Sequence, residues 1–266
     1  MDQRTGTGPT LGRTRAVAHP DPPPGRRPAI LFAPFREEPV NAPQPKPFEA
    51  VLVVPRELLF PTRYPQGFVA FGAGTGTSGD DALDRDAFMA TIAEHGFFVE
   101  REVAEREPRW KQVIPYTAVT SGGRVLLLTR TKKGGEARLA NKKTIGVGGH
   151  LNPCDLVDGA RDRICERGTL RELDEELFVP GLSAAPTPVG IINDDSNDVG
   201  AVHVGLVQFI DLPEEVRVRE EDILEGHYVS REELAALRTG GANFEPANFE
   251  TWSDFLVRDL DDWLPR

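Results

Sequence analysis

Cysteine is nearly absent from this chain: Cys154 and Cys165 are the two among 266 residues. Two thiols cannot build a disulfide framework, and no Cys-x-x-Cys or Cys/His cluster with ligand spacing accompanies them, which argues against a structural zinc site. Long apolar runs are missing as well. No stretch approaches the roughly 18 residues of a membrane span, and the N-terminus lacks the short apolar core of a secretory signal, so the expectation is a cytoplasmic protein without a membrane partner. An excess of basic charge is also missing: 31 Lys/Arg face 42 Asp/Glu, a net charge of −11. Residues 1–47 hold seven Lys/Arg against four Asp/Glu, leaving 24 against 38 for the remainder, a balance of −14. So acidic a body argues against a broad nucleic-acid surface, which needs a basic stripe to release counterions. A small phosphorylated ligand stays compatible, because a metal and a few local bases can meet its charge.

Proline, by contrast, is abundant and concentrated. Eleven of the 23 prolines fall within residues 1–47, including Pro22-Pro23-Pro24, among scattered Arg and Gly with little periodic apolar pattern. This composition reads as a disordered tail. It favours a dispensable extension over a transit peptide or a nucleic-acid-contacting arm.

Order is expected from Phe48, where Ala50-Val51-Leu52-Val53-Val54 reads as a buried strand stopped by Pro55. The Gly-rich stretch 72–79 lacks the Gly-Lys-Ser/Thr of a phosphate cradle and reads as a loop. Asp84 to His95 has helical spacing through Phe88, Met89 and Ile92, with Gly96 as its stop and His95 as a helix-end residue. Residues 48–110 are therefore expected to form an N-terminal extension packed on a core domain of residues 111–266. Within that domain, Gln112–Val119, a Ser121-Gly122-Gly123 turn and Arg124–Thr129 read as a hairpin. Further strands are expected at Pro188–Ile192, Val202–Ile210 and His227–Val229, and helices at Arg231–Leu237 and Trp252–Trp263. The mixture predicts an α/β fold whose mixed sheet is covered on both faces.

The chemistry concentrates in Gly148-Gly149-His150-Leu151-Asn152-Pro153-Cys154-Asp155 and, after a spacer, Arg171-Glu172-Leu173-Asp174-Glu175-Glu176-Leu177. On a helix, residues three and four apart share a face, so Glu172, Glu175 and Glu176 can point into one volume. Three carboxylates there repel unless a cation joins them, and all-oxygen ligation suits Mg²⁺ or Mn²⁺, ions that bridge to substrate phosphates. On its own an Arg-Glu-Leu-x-Glu-Glu-Leu helix is common on solvent-facing surfaces; the preceding hairpin and Gly-Gly turn and the following strands make it specific.

With that context the chain resembles a Nudix hydrolase, whose pattern is Gly, five residues, Glu, seven residues, Arg-Glu-apolar-x-Glu-Glu-x-Gly-apolar. Here Gly149 is followed after five residues by Asp155 in place of Glu, and fifteen residues rather than seven precede Arg171. Phe178 stands where a Gly closes the helix, and Val179 takes the last apolar position. The spacer is expected to lengthen the helix or to form a short preceding one, and Pro180-Gly181 to turn the chain after it. Ile145–Asn152 and Asn193-Asp194-Asp195-Ser196-Asn197 are similar to a bacterial Nudix subgroup loosely described as phosphoesterases. The resemblance covers roughly residues 111–266, more weakly those from Phe48.

The resemblance implies a Nudix-type α/β/α sandwich and Mg²⁺- or Mn²⁺-dependent hydrolysis of a diphosphate linkage in a nucleotide or nucleotide derivative. It makes Glu172, Glu175 and Glu176 the metal carboxylates, with the Gly149 carbonyl as a further ligand and Arg171 holding Glu172. The general base is Glu172 or an acid of a later loop, where Glu221 is preferred over Glu220 and Glu225. Arg130, Lys132, Lys133, Arg138, Lys142 and Lys143 form a basic run that either meets phosphate or is a solvated face. Asp194, Asp195 and Asp198 bind metal or ribose, or simply build a turn. His203 is expected to be a satisfied, half-buried side chain. Two other functions stay open: a silent Nudix-fold sensor of nucleotide metabolites, and an isomerase using Cys154. A homodimer is compatible with the family's habits.

Overall fold

Val125, Leu126, Leu127 and Leu128 run without a polar break, and such a strand is stable only where both its faces are covered. The computed structural model describes residues 48–72, 83–131, 141–179, 184–219, 224–240 and 245–265, and all of them belong to one unit, Lys46–Arg266. The tail expected over residues 1–47 lies outside the described residues.

In chain order, β1 (Ala50–Pro55), the single turn α1 (Arg56–Leu59) and β2 (Gly67–Ala70) come first. They are followed by α2 (Arg85–His95), β3 (Phe97–Glu100) and α3 (Arg101–Ala104). The long strand β4 (Trp110–Ser121) turns into β5 (Arg124–Arg130), and β6 (Lys143–Thr144) and β7 (Gly146–Gly148) lead to α4 (Ile164–Glu176). After β8 (Leu177–Phe178) come β9 (Thr187–Asn193), α5 (Asp198–Ala201) and β10 (His203–Asp211). The chain closes with β11 (Arg217–Val218), β12 (Leu224–Val229), α6 (Arg231–Thr239), α7 (Thr251–Arg258) and α8 (Leu260–Trp263).

The main sheet runs β12-β5-β4-β10-β9-β2, with β10 parallel to β4 and the other neighbours in that order antiparallel. One edge of β4 is shared in succession by β1, β7 and β5. The strands preceding Trp110 thus hydrogen-bond directly into this sheet through β1 and β2. Gly122 and Gly123 have φ of 56° and 75°, the pair of left-handed residues that a tight two-residue hairpin needs, and Ser121 pairs with Arg124 across them.

Side chains alternate between two cores, as strand geometry requires. Val119, Leu126, Leu128 and Ile210 pack against Leu173 of α4 and Leu177 of β8, while Val113, Val204 and Leu206 meet Ile164 and Cys165 of α4. On the opposite face Tyr116, Ala118, Val125, Leu127 and Val207 pack against Leu234, Leu256, Leu260 and Trp263. The result is the sandwich of helices about a mixed sheet that the pattern predicted. One expected element is corrected: the helix over Trp252–Trp263 is broken at Asp259, whose φ and ψ are −109° and 35°. The break lets the Trp263 indole fold back and donate to the Leu256 carbonyl at 2.9 Å, satisfying a carbonyl near the end of α7.

Candidate functional site

The lengthened spacer extends the glutamate helix rather than forming a separate one, so α4 starts seven residues ahead of Arg171. The missing helix-closing glycine has a physical answer. Leu177 leaves the helix with φ −124° and ψ 150°, straight into β8, which pairs with β11, so no left-handed residue is needed.

Arg171 organises the box. Its Nε donates to Asp155 Oδ1 at 2.8 Å and its Nη2 to Asp155 Oδ2 at 3.1 Å, while Nη2 also donates to the His150 carbonyl at 2.8 Å. The Nη1 donates to Glu172 Oε1 at 2.7 Å and to Glu175 Oε1 at 3.3 Å. Asp155, whose side chain is 2% exposed, accepts from Asn152 N at 2.8 Å as well, so the loop from His150 to Asp155 is pinned to the helix. Asp155 foremost, and then Glu172, hold the guanidinium protonated even beyond its usual range. Burial raises the Glu172 carboxyl above its ordinary value, with the Arg171 hydrogen bond pulling the other way. Gly149 passes so close that a Cβ there would lie 2.2 Å from Glu172 Oε1. Only glycine leaves that carboxylate its seat.

A cleft of about 780 Å³ opens beside Gly148, Gly149 and His150. Ile114 and Tyr116 of β4, Arg101 of α3, Asp194, Asn197–Gly200, Val202, His203 and Glu250–Trp252 line it. Trp252 stands edge-on to Tyr116 with ring centroids 5.4 Å apart. Arg101 is held by Glu49 at 2.8 Å and by Glu105 at 2.9 Å. His203 and His150 meet with their Nε2 atoms 3.4 Å apart, and His203 Nδ1 lies 2.6 Å from the Val199 carbonyl. Burial chiefly depresses both imidazoles, His150 to about 3, with the Arg101 charge adding to the effect.

The expected residues divide clearly. Glu172 and Glu175 are brought together on one guanidinium, and Gly149 abuts Glu172. Glu176 has its carbonyl bonded by Arg219 N at 2.8 Å. Among the described residues no group of three or more His, Cys, Asp or Glu is gathered at metal-binding distances. Arg130 donates to Glu250 Oε1 at 2.9 Å, and Lys142 and Asp194 line the cleft. Lys132, Lys133, Arg138, Glu220 and Glu221 lie outside the described residues, and Glu225 is exposed on β12. Cys154 is exposed and absent from the cleft lining. Of the Asn193–Asn197 segment, Asp194 Oδ1 accepts from Ser196 N at 3.1 Å and Asn197 caps α5 through Gly200 N at 3.0 Å. Asp195 meets the fully buried Lys111 at 2.7 Å.

Sequence reasoning missed His150, Arg101, Trp252 and Lys111. Lys111 donates to Asp195 and, at 3.0 Å, to the Gly200 carbonyl, stapling the cleft wall from within. The available signal was a single lysine near the start of a strand that carries no other charge.

No sequence profile of a known protein family matches the chain. Protein YmaB of Bacillus subtilis (strain 168) is 35% identical to it over 178 residues, covering 65% of this chain and 82% of that protein. Among solved structures, Tm1382, described as a candidate Nudix hydrolase, superposes with a TM-score of 0.62 at 26% identity, covering 80% of this chain and 98% of that one.

Proposed function

We propose, from the premise that this chain belongs to the Nudix hydrolase family, that it hydrolyses the diphosphate linkage of a nucleotide derivative with the help of a divalent metal. The observation that carries this reading is the seat of Glu172 against Gly149, which itself lines the cleft, with Glu172 tied through Arg171 to Glu175.

The donors suit a hard cation by residue type, and they would have to gather around the Glu172–Glu175 pair when such an ion binds. Glu172, Glu175 and Glu176 with the Gly149 carbonyl offer oxygen alone, the choice of Mg²⁺ or Mn²⁺. The cationic Arg171 nitrogen that spans Glu172 and Glu175 marks a spot where positive charge is compensated. When bound, such an ion neutralises phosphate oxygens and lowers the pKa of a coordinated water.

The chain's own groups supply the rest. Arg171 orients Glu172, and burial makes that carboxylate a better proton acceptor than an exposed one, suited to take the proton of an attacking water. Glu221 is the second candidate base. The cleft offers Lys142 and Asp194 to the substrate, and Arg130, Lys132, Lys133 and Arg138, which belong to the same basic run of the sequence as Lys142, are the further candidates for its phosphates. A panel of nucleoside diphosphate derivatives tests the reading, with product analysis in Mg²⁺, in Mn²⁺ and after chelation. Metal-dependent release of two phosphate-bearing products is expected; a panel without turnover overturns it.

A further inference from the structure

His150 and His203 face each other at the edge of the cleft, and their proton count follows from their partners. The Val199 carbonyl can only accept, so His203 Nδ1 carries the hydrogen in the 2.6 Å bond between them. The neutral ring then has a bare Nε2, and the 3.4 Å approach requires His150 Nε2 to donate to it. Two facing protonated nitrogens at that distance would repel. What remains is His150 Nδ1, bare and 3.9 Å from Glu49 Oε1. The pair therefore has no N–H left over for a phosphate, which argues against an anchoring role.

Its connections run elsewhere. Val199 belongs to α5, in the cleft wall that Lys111 staples from behind through Asp195 and Gly200. His150 follows Gly149, and its own carbonyl receives Arg171 Nη2 at 2.8 Å, the guanidinium that also holds Glu172. A continuous path thus leads from the cleft wall through Val199, His203, His150 and Arg171 to Glu172. Such outer partners of reactive groups typically matter about 10–100-fold in activity.

We propose that His203 is a positioning residue that locks the cleft wall to the glutamate box, with Nδ1 fixing the wall and Nε2 fixing His150 and, through Arg171, Glu172. The inference rests on the hydrolase reading above.

Two substitutions separate the two nitrogens. In His203→Asn the amide nitrogen falls near the place of Nδ1, so the Val199 link is kept and the His150 link is lost. In His203→Gln the amide oxygen reaches toward the place of Nε2 and accepts from His150, while the Val199 link is lost. With the best substrate of the panel, His203→Asn is expected to lower kcat about tenfold or more with KM within about threefold. His203→Gln is expected to keep kcat within about threefold and raise KM by about tenfold. Thermal melts of both variants check folding, and since they remove one hydrogen bond each, a purely structural role would move the two variants alike. Equal changes in the same parameter, a reversed split, or no change beyond twofold in either variant overturns the inference while leaving the hydrolase reading intact. A parent protein that turns over nothing overturns the hydrolase reading and takes the inference with it.

Discussion

Arg171 and Asp155 form a two-point ion pair, Nε to Oδ1 at 2.8 Å and Nη2 to Oδ2 at 3.1 Å, and the pair joins the loop after Gly149 to the glutamate helix. Asp155 is the shorter acid at a position where the family has Glu, and it still reaches, because the 3₁₀ turn Pro153–Asp155 carries its carboxylate toward the helix. Removing the guanidinium strands a carboxylate that is 2% exposed. Arg171→Met is therefore expected to cost about 3 kcal/mol in urea unfolding, since breaking a buried pair on one side leaves an uncompensated charge. Arg171→Lys restores the charge without the fork and should recover only part of that loss. Parent-like stability for Arg171→Met would contradict the role given to the pair.

Gly149→Ala probes the close approach directly. The added Cβ would meet Glu172 Oε1 at 2.2 Å, so the carboxylate has to swing off its seat. Turnover should fall about tenfold or more, as misplacement of a reacting group by about an ångström does. The measurement is kcat beside a thermal melt, and an alanine variant with parental kcat removes Gly149 from the site.

The protonation of Glu172 gives a pH-dependent stability effect. Burial raises its carboxyl above the ordinary 4.5, so the folded chain keeps this proton longer than the unfolded chain does. Between 4.5 and the raised value the native state binds more protons, and stability falls as pH rises through that window. Above the window the ionised group is a net cost to the fold. Glu172→Gln, neutral at every pH, should therefore melt higher than the parent at about pH 7.5 in the presence of a chelator, with the advantage gone at about pH 4. A variant that melts lower than the parent at neutral pH would reverse the sign.

Much of this was legible in the sequence because it rested on local chemistry. The hairpin at Gly122-Gly123, the stop of α2 at Gly96 and the helical run through Glu172 and Glu175 follow from turn residues, helix-ending residues and spacing, and the structure has each. The helix over Trp252–Trp263 was misjudged because periodicity does not register a break stabilised by an indole folding back onto Leu256. The cleft was illegible for another reason. Arg101, His203 and Trp252 lie on three separate elements and His150 on the loop after β7, and the pairing of β10 alongside β4 and β1 against the other edge brings them together. Lys111 reads as surface charge by composition. Its complete burial depends on Asp195, 84 residues away.

The central claim is that the glutamate face of α4 makes this chain a metal-dependent hydrolase. The most direct test is the rate of diphosphate cleavage in Mg²⁺ for the parent beside Glu172→Gln, Glu175→Gln and Glu176→Gln, each confirmed folded by its melt. A parent that cleaves and variants slowed about a hundredfold or more are predicted, since each removes a charge the transition state relies on. Folded variants that all retain the parental rate would contradict the account, and so would a parent that binds nucleotide derivatives without cleaving any of them.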